Sequence, residues 1–311
     1  MVKELYGTAT PLVTPFDPKT YAIVEEELRK EARYCVRNGI HNVMVAGSAG
    51  EFVHLSQDER KRIFDVVIDE VNGKVPVIAC THSTSTDEAV MYTKYAKDAG
   101  ADAVMLVHPY YYMINTEELY GHYAAIAKVG LPIMVYNNPW TSKIDMKPEL
   151  LAKLAEDFPE IQWYTKECSR DVARVHDVLI VAKGKVRVFA GMDDSGFEGW
   201  AVGATGWVVG MAQIAPRWVS ECFNAYMRGD IEKSKKIYFR LVPLMGFIEA
   251  SPRFVSYNKA AMELCGILKP GPPRRPLLPL NNTDRERLKE KMIECGILDK
   301  CGSLNPEVGT L

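Results

Sequence analysis

The chain has 311 residues and a mass of 34.9 kDa, 47% of its residues are hydrophobic, and its formal net charge is −2. A chain of this size and hydrophobic content can bury a core of its own. Because 38 basic residues balance 40 acidic ones, neither a nucleic-acid partner nor a membrane-surface partner is indicated. We therefore expect the partner to be a small molecule.

The cysteines and the lack of long apolar segments indicate a compartment. The seven cysteines are odd in number, scattered, and never spaced as C-x-x-C, which argues against a disulfide framework and against a structural zinc site. No run of about 18 apolar residues occurs. The N-terminus lacks the basic and apolar regions of a secretory signal. These features predict a cytoplasmic protein that is neither secreted nor inserted in a membrane.

A strand-then-helix rhythm begins near the N-terminus. The first four predicted strands lie at 7–16, 42–46, 76–79 and 103–107. The helix after the first strand covers 24–38 and ends before Gly39 as a C-cap. Capping boxes predict the starts of the next three helices at 56–59, 85–88 and 115–118, the first of these helices running through Val71.

The same rhythm continues in the second half. Further strands are predicted at 132–136, 161–166, 187–190 and 206–210, and the helices that follow them at 148–157, 170–181, 194–202 and 216–228. The strands are short, apolar and not alternating, which is typical of strands buried on both faces of a parallel sheet. Roughly eight strand-helix units in about 230 residues predict an α/β protein with a (β/α)8 TIM barrel. A doubly wound open sheet is the alternative, although no G-x-G-x-x-G or P-loop follows any strand.

The domain organisation follows from this count. We expect a catalytic barrel over 1–230, a C-terminal helical extension over 231–300 packed on the barrel, and a frayed tail over 301–311. The extension has helical patterns at 231–249, 254–265 and 284–295, with a proline-rich break at 269–276.

In a barrel of this kind, functional groups come from the carboxyl ends of the strands. Strand six ends at Lys166, which is either a surface charge or a nucleophile. Strand two runs into Gly47-Ser48-Ala49-Gly50-Glu51, whose small residues would let backbone N–H groups converge on an anion such as a carboxylate. A plain tight turn is the alternative for this loop.

Imine chemistry becomes plausible when these strand ends are taken together. A buried lysine can attack a ketone, and the protonated imine then acts as an electron sink. Tyr136, at the end of strand five, is the candidate proton shuttle, with Ser48 relaying to a second phenol. The scattered histidines and the pair Asp193-Asp194 lack metal-ligand spacing, so we expect no metal. Cys168 is interpreted as a packed thiol in preference to a reactive one.

The residues resemble the dihydrodipicolinate synthase and N-acetylneuraminate lyase family of Schiff-base (β/α)8 enzymes over about residues 5–295. The landmarks appear in order, namely Gly7, 11–16 (PLVTPF), 47–52 (GSAGEF), 109–111 (PYY), 136–139 (YNNP), 166–167 (KE) and 191–193 (GMD). Any one of these motifs is weak, but all of them at these intervals are specific.

This resemblance implies roles for individual residues. Lys166 would form the imine, Tyr136 would transfer protons, and Ser48 and Ala49 would lie at the carboxylate of a 2-oxo acid. Tyr111 would be the second relay tyrosine, which in many members crosses into a neighbouring subunit of a homotetramer made of dimers. No cofactor is needed beyond the covalent imine. The substrate-binding positions are expected at Gly47, Ala49, Gly50, Thr141, Arg170 and Val208.

Three departures from the family pattern concern the substrate. Thr141 occupies the position where true dihydrodipicolinate synthases carry an arginine that grips the second substrate. Ser48-Ala49 replaces the usual Thr-Thr pair, so one hydroxyl is lost. The residues typical of sialate lyases are missing after Lys166, and Arg170 replaces a small residue. Arg170 would bind a distal carboxylate of the substrate, or would be an exposed arginine at a helix start.

Three hypotheses follow. The first is a Schiff-base lyase acting on a 2-oxo acid, either a pyruvate-type aldolase, a 2-oxo-3-deoxy sugar acid dehydratase or aldolase, or a deaminase of a hydroxylated cyclic imino acid. The second is a 2-oxo acid binding or regulatory barrel without turnover. The third is 4-hydroxy-tetrahydrodipicolinate synthase, condensing pyruvate with aspartate semialdehyde, with Arg170 or Arg253 standing in for the missing arginine.

Overall fold

The computed structural model of the protein describes residues 3–310, and over these residues it contains eight parallel strands. The strands are β1 (Gly7–Pro11), β2 (Asn42–Val45), β3 (Val77–Cys80), β4 (Ala103–Val107), β5 (Ile133–Asn137), β6 (Trp163–Glu167), β7 (Val186–Ala190) and β8 (Gly206–Val208). They form a closed barrel in the order β1 to β8. The predicted (β/α)8 class is therefore confirmed, and the doubly wound open sheet is excluded.

Helices follow the strands along the chain. Those described within residues 3–310 are α1 (Glu25–Arg37), α2 (Gln57–Val71), α3 (Thr86–Ala99), α4 (Thr116–Ala127), α5 (Pro139–Ser142), α6 (Pro148–Asp157), α7 (Ala173–Ala182), α8 (Gly196–Ala201), α9 (Pro216–Met227), α10 (Ile231–Glu249), α11 (Phe254–Leu264) and α12 (Asn282–Glu294). None of them is both long and apolar enough to cross a membrane.

Two of the three predicted capping boxes are present. Ser56 with Glu59 opens α2, and Asn115 with Glu118 opens α4, each with both reciprocal hydrogen bonds. The third box is wrong, because Ser85 makes no side-chain cap bond. The Ser83 hydroxyl instead donates to Glu88 Oε2 at 2.5 Å and accepts the Ser85 N–H at 3.0 Å. Ser83 thus takes the carboxylate that the box would have used.

Two boundaries near the sixth strand differ from the prediction. Lys166 does not end β6, because the ladder continues through Glu167, which pairs with Asn137 and with Ala190. The next helix begins at Ala173, later than predicted. Arg170, at φ 64°, is in the left-handed region and interrupts any helix there.

The described residues divide into two compact units. The first runs up to Tyr6 and from Pro76 to Val208, and the second covers Gly7–Val75 and everything from Val209 onward. In the second unit α10 packs on α9, and α11 packs on α12. The domain boundaries expected at 230 and 300 do not coincide with these units and stay a prediction.

The end of the chain is not frayed over the residues that the structure describes. Val308 is fully buried, and the Thr310 N–H donates to Asn38 Oδ1 at 2.9 Å. Arg217 also donates to the Pro306 carbonyl at 3.0 Å. These hydrogen bonds fix the C-terminal segment in place. Each joins two residues that are far apart in the sequence.

Candidate active site

The strongest candidate centre lies at the carboxyl ends of β5 and β6. Tyr136 and Lys166 are register partners on these strands, and Lys166 Nζ lies 4.0 Å from the centre of the Tyr136 ring. Lys166 pairs on its other side with Phe189 of β7. The lysine stem is therefore flanked by two aromatic residues on neighbouring strands, and its ammonium is placed against a phenol.

The surroundings of Tyr136 keep its hydroxyl protonated. Burial raises the pKa of the Tyr136 phenol, against the lowering effect of the Lys166 ammonium. Asn138 donates a hydrogen bond to the phenol oxygen at 2.9 Å. A phenol in this state can act as a proton donor to a group bound at the neighbouring amine.

A buried amide, that of Asn137, holds the two strand ends together. Its Oδ1 accepts the Met146 N–H at 3.1 Å, which orients the amide so that Nδ2 faces the carboxylates of Glu167 and Asp145. Oδ1 also lies 3.2 Å from His108 Nε2. Since an amide oxygen only accepts, His108 must donate from Nε2.

The ionisable groups around Asn137 differ in the direction in which their pKa values are shifted. Burial raises the pKa of Glu167 against the hydrogen bonds from Ser169 and Asn137. Burial also acts to raise the pKa of Asp145, but hydrogen bonds from Arg174 and Lys147 outweigh it and hold that pKa well below its usual range. Burial lowers the pKa of His108 to about 4, so this imidazole is neutral at physiological pH.

Sequence reasoning missed this network. Asn137 and Glu167 directly follow Tyr136 and Lys166, and both were part of the motifs quoted above without a role. Their position one residue after each candidate catalytic residue, with side chains alternating along a strand, was the available signal. Arg174 and Asp145 could not be found in this way, because their pairing joins a loop to a helix 29 residues later.

Gly191, after β7, is required by close packing behind Lys166. A Cβ at this position would lie 2.3 Å from Cys168 Sγ, 2.7 Å from the Glu167 carbonyl oxygen and 2.9 Å from Lys166 Cγ. The Gly191 N–H donates to that same carbonyl at 3.0 Å. The buried Cys168 thiol thus fills space beside the lysine stem.

The loops after β5 and β6 are joined on the surface of this unit. The Trp140 indole N–H donates to the Ser169 carbonyl at 3.3 Å. Thr141, next to Trp140, and Arg170, next to Ser169, both have exposed side chains. Each of these two predicted substrate-binding residues therefore lies next in sequence to a residue of the hydrogen bond that joins the two loops.

The remaining predicted residues of the first unit are placed separately. Tyr111 is 80% exposed, its ring packs edge-on against Tyr112 at 5.0 Å, and its hydroxyl makes no hydrogen bond within residues 3–310. The structure does not bring it onto Tyr136 or Lys166. Val208 is buried on β8.

The second unit carries the predicted anion-binding loop after β2. Gly47, Ser48, Ala49 and Gly50 lie between Ala46 (φ 52°) and Glu51 (φ 59°), both in the left-handed region that non-glycine residues rarely adopt. Within the described part of the chain, the backbone N–H groups of 48–50 donate to no protein acceptor. Strained backbone around unused donors is typical of a ligand-binding loop.

This loop is packed closely against the residues that follow β1. A Cβ on Gly50 would lie 3.2 Å from the Leu12 carbonyl oxygen and 3.2 Å from Ala46 Cα. The Thr14 hydroxyl donates to the Gly50 carbonyl at 2.7 Å.

Arg253, the other candidate to replace the missing arginine, is ion-paired with Asp284.

No metal centre is evident. Across residues 3–310, no three His, Cys, Asp or Glu side chains come together in a way that could hold a metal ion.

Comparison with known proteins identifies the family. The sequence profile of the Dihydrodipicolinate synthetase family matches residues 4–294. A 4-hydroxy-tetrahydrodipicolinate synthase from Methanopyrus kandleri is 36% identical over 302 residues, which cover 96% of this chain and 99% of that protein. One from Thermodesulfovibrio yellowstonii is 36% identical, over 94% of this chain and 99% of the relative.

Solved structures agree with this result. The crystal structure of a dihydrodipicolinate synthase from Thermotoga maritima superposes with a TM-score of 0.87 at 31% identity, over 94% of this chain and 99% of that one. Enzymes of this family react through a lysine Schiff base with pyruvate and use no external cofactor. The chain is therefore an enzyme of the dihydrodipicolinate synthetase family, in its group of Schiff-base lyases.

Proposed function

We propose that the enzyme forms an imine between Lys166 Nζ and the keto carbon of a pyruvate-type 2-oxo acid, and then breaks a bond next to that carbon. The observation that supports this most is the position of Lys166 Nζ, 4.0 Å from the Tyr136 ring on the adjacent strand. A nucleophilic amine beside a protonated phenol provides both groups that imine formation needs.

The unprotonated amine attacks C2 of the 2-oxo acid. The oxygen leaves as water after it has received two protons, one from the attacking nitrogen and one from the Tyr136 O–H, and Tyr136 is left as the phenolate that can accept the next proton. The resulting iminium draws in the electron pair of a bond at C3. This is the C3–C4 bond in an aldol cleavage, or the C3–H bond ahead of loss of water or an amine from C4. Return of a proton through Tyr136 and hydrolysis of the imine release the product.

The loop that follows β2 is assigned to the substrate carboxylate. The free N–H groups of 48–50 and the Ser48 hydroxyl support this assignment. The exposed Tyr111 ring supports its proposed role as a relay residue that reaches a neighbouring subunit, and with it a homotetramer made of dimers. The cysteines, none of which forms a disulfide within residues 3–310, support a cytoplasmic setting.

The nature of the second substrate depends on residue 141. An arginine side chain can bind a carboxylate through two parallel hydrogen bonds. The threonine at position 141 cannot do so. This favours a substrate without a distal carboxylate at that place, as in the sugar-acid dehydratases and aldolases or the imino acid deaminases. A binding protein without turnover is the hypothesis from another class, motivated by the missing hydroxyl at Ala49.

The second catalytic candidate is 4-hydroxy-tetrahydrodipicolinate synthase. It is supported by the relatives of that name, which are 36% identical over nearly the whole chain. The exposed Arg170, one residue after the carbonyl that binds Trp140, is the arginine best placed to substitute for the missing one. Arg253 is the weaker substitute, since Asp284 already neutralises it.

Borohydride reduction with pyruvate tests the imine. We expect a covalent pyruvate adduct on Lys166, detected by mass spectrometry of peptides, in the wild type and not in K166R. A wild-type protein without this adduct would refute the proposed function. Turnover in a screen of 2-oxo acids would exclude the binding protein, and condensation of pyruvate with aspartate semialdehyde in a coupled assay would select the synthase.

A further inference from the structure

The C-terminal part of the chain sends a charged side chain into the core of the second unit. Lys259, on α11, is 2% exposed, and its ammonium lies 2.6 Å from Glu51 Oε1. The Glu51 side chain is itself fully buried. Glu51 is the residue that directly ends the loop 47–50.

Glu51 is held at both carboxylate oxygens by residues from beyond position 250. Lys259 binds Oε1, and the backbone N–H of Arg274 donates to Oε2 at 2.7 Å. The Lys259 ammonium also donates to the Pro272 carbonyl at 3.2 Å and lies 4.3 Å from the centre of the Phe16 ring. These contacts leave the ammonium enclosed by protein groups.

Arg274 is fixed in turn by its own partners. Its guanidinium makes two hydrogen bonds to Glu59, at 2.5 and 2.8 Å, and donates to the carbonyls of His54 and Tyr21. The backbone of Arg274 is therefore a rigid donor for Glu51. The left-handed φ of Glu51 is an unfavourable conformation for a residue other than glycine, and it persists only where the surroundings determine it.

Stability alone does not account for this buried pair. Burial lowers the pKa of Lys259, against the raising effect of Glu51, so desolvation opposes the charged form. Buried ion pairs can often be replaced by hydrophobic residues without loss of stability, so a role in geometry is the alternative to a role in stability. Here the geometry affected is that of the loop with the unused N–H groups.

We infer that Lys259 is a positioning residue for substrate binding. Through Glu51 it holds the loop 47–50 in the conformation that presents the N–H groups of Ser48, Ala49 and Gly50 to the carboxylate of the 2-oxo acid. This inference rests on the proposed function in assigning that loop to the carboxylate. It gives the C-terminal extension a part in substrate affinity, while the amine of Lys166 carries out the chemistry.

The experiment compares the wild type with K259M, K259R and the double variant E51Q/K259M. The double variant leaves no uncompensated buried charge, so it keeps the test informative if K259M does not fold. K235M is the matched control, since Lys235 makes a lysine–glutamate pair with Glu232 at an exposed position of α10. Thermal unfolding of each variant identifies those that are folded.

Two measurements separate positioning from a loss of folded protein. The first is the pyruvate concentration at half-maximal borohydride trapping, together with the plateau. The second is the Kd of lactate, which has the carboxylate but no keto carbon, by calorimetry. We expect K259M and the double variant to raise both concentrations about tenfold or more, which is a free-energy change of about 1.4 kcal/mol. The trapping plateau stays near that of the wild type, K259R recovers part of the loss, and K235M changes neither value.

The outcomes distinguish this inference from the proposed function. Folded variants that bind lactate as tightly as the wild type, or a wild type that binds no lactate, would overturn the inference. A lower plateau at an unchanged half-saturating concentration would overturn it too, since that is the effect of partial unfolding. If lactate affinity falls as expected but the wild type gives no adduct on Lys166, the inference stands and the proposed function fails.

Discussion

Tyr136 and Lys166 face each other across two adjacent strands, with the Lys166 ammonium 4.0 Å from the centre of the phenol ring. This relationship joins an amine to a proton donor without help from any loop. Strand positions are more rigid than loop positions, so the two strands would hold the pair ready for the imine formation proposed above.

Removal of the Tyr136 hydroxyl is expected to slow the reaction without abolishing imine formation. In Y136F the ring and its packing remain, but the proton donor is lost, and general acid–base contributions of this kind are about 100- to 10,000-fold. Single-turnover trapping with pyruvate should show the slower rate and the same final adduct. A Y136F protein as fast as the wild type would remove Tyr136 from the mechanism.

An arginine at position 141 should increase any synthase activity. Thr141 is exposed, so T141R needs no repacking, and a bidentate contact with the carboxylate of aspartate semialdehyde is worth about 1.5–3 kcal/mol. We expect kcat/KM for aspartate semialdehyde to rise about tenfold or more in the coupled assay. T141K, which supplies a charge without the planar fork, should give a smaller increase. No change in T141R would mean that position 141 does not face the second substrate.

The Asn137 amide should matter for stability as well as for catalysis. N137A leaves His108, Glu167 and the Met146 N–H without their common buried partner. Glu167 keeps its hydrogen bond from the Ser169 N–H, whereas His108 Nε2 and the Met146 N–H lose their acceptor. Unsatisfied buried groups cost about 1–3 kcal/mol each, so we expect the free energy of unfolding in urea to fall by about 2–6 kcal/mol. N138A, which removes an amide that within residues 3–310 bonds only the Tyr136 hydroxyl, is the milder control. Equal stability of the two variants would contradict this account.

Glu31 should make the stability of the protein depend on pH. Its Oε1 accepts the Val13 N–H, its Oε2 has no partner within residues 3–310, and burial raises its pKa well above 4.5, against the hydrogen bond from Val13 and the nearby Lys259 charge. A raised pKa means that the folded protein holds the proton more tightly than the unfolded chain. The stabilisation is therefore complete below about pH 4.5 and is lost as pH rises toward the folded pKa.

E31Q tests this dependence, because glutamine is neutral at every pH. Relative to the wild type, E31Q should become more stable as pH rises from about 5 to 8, measured by urea unfolding at each pH. A stability difference that is constant across this range would show that Glu31 titrates as it does in the unfolded chain.

Much of the fold could be predicted because the signals were local. The β4 range 103–107 and the α10 range 231–249 were predicted to the residue, since each is a continuous pattern with clear ends. The capping box at 85–88 was predicted wrongly because Ser83, outside the motif, binds Glu88. A capping-box motif specifies which hydrogen bonds can form. A nearby polar side chain outside the motif can form one of them instead, as Ser83 does with Glu88.

The candidate site also contains residues that the sequence indicates and residues that only the fold shows. Lys166 and Tyr136 could be proposed from the sequence because strand ends and family motifs both indicate them, and the structure places the two side chains together. The pairing of Lys259 with Glu51 could not be, because a lysine within a helical pattern has no feature that distinguishes it from a surface lysine. Only the fold shows that α11 turns this lysine inward.

The anchoring of Glu51 also has a consequence for synthesis of the chain. The Arg274 N–H that binds its carboxylate lies 223 residues further along the chain. Since domains fold as the chain emerges from its N-terminus, the loop after β2 is made long before the residues that hold it. A ribosome-bound chain that stops short of α11 would contain Lys166, Tyr136 and the whole loop, yet the loop would lack its anchor. On the inference drawn above, affinity for the substrate would be acquired only after α11 and Arg274 have been synthesised.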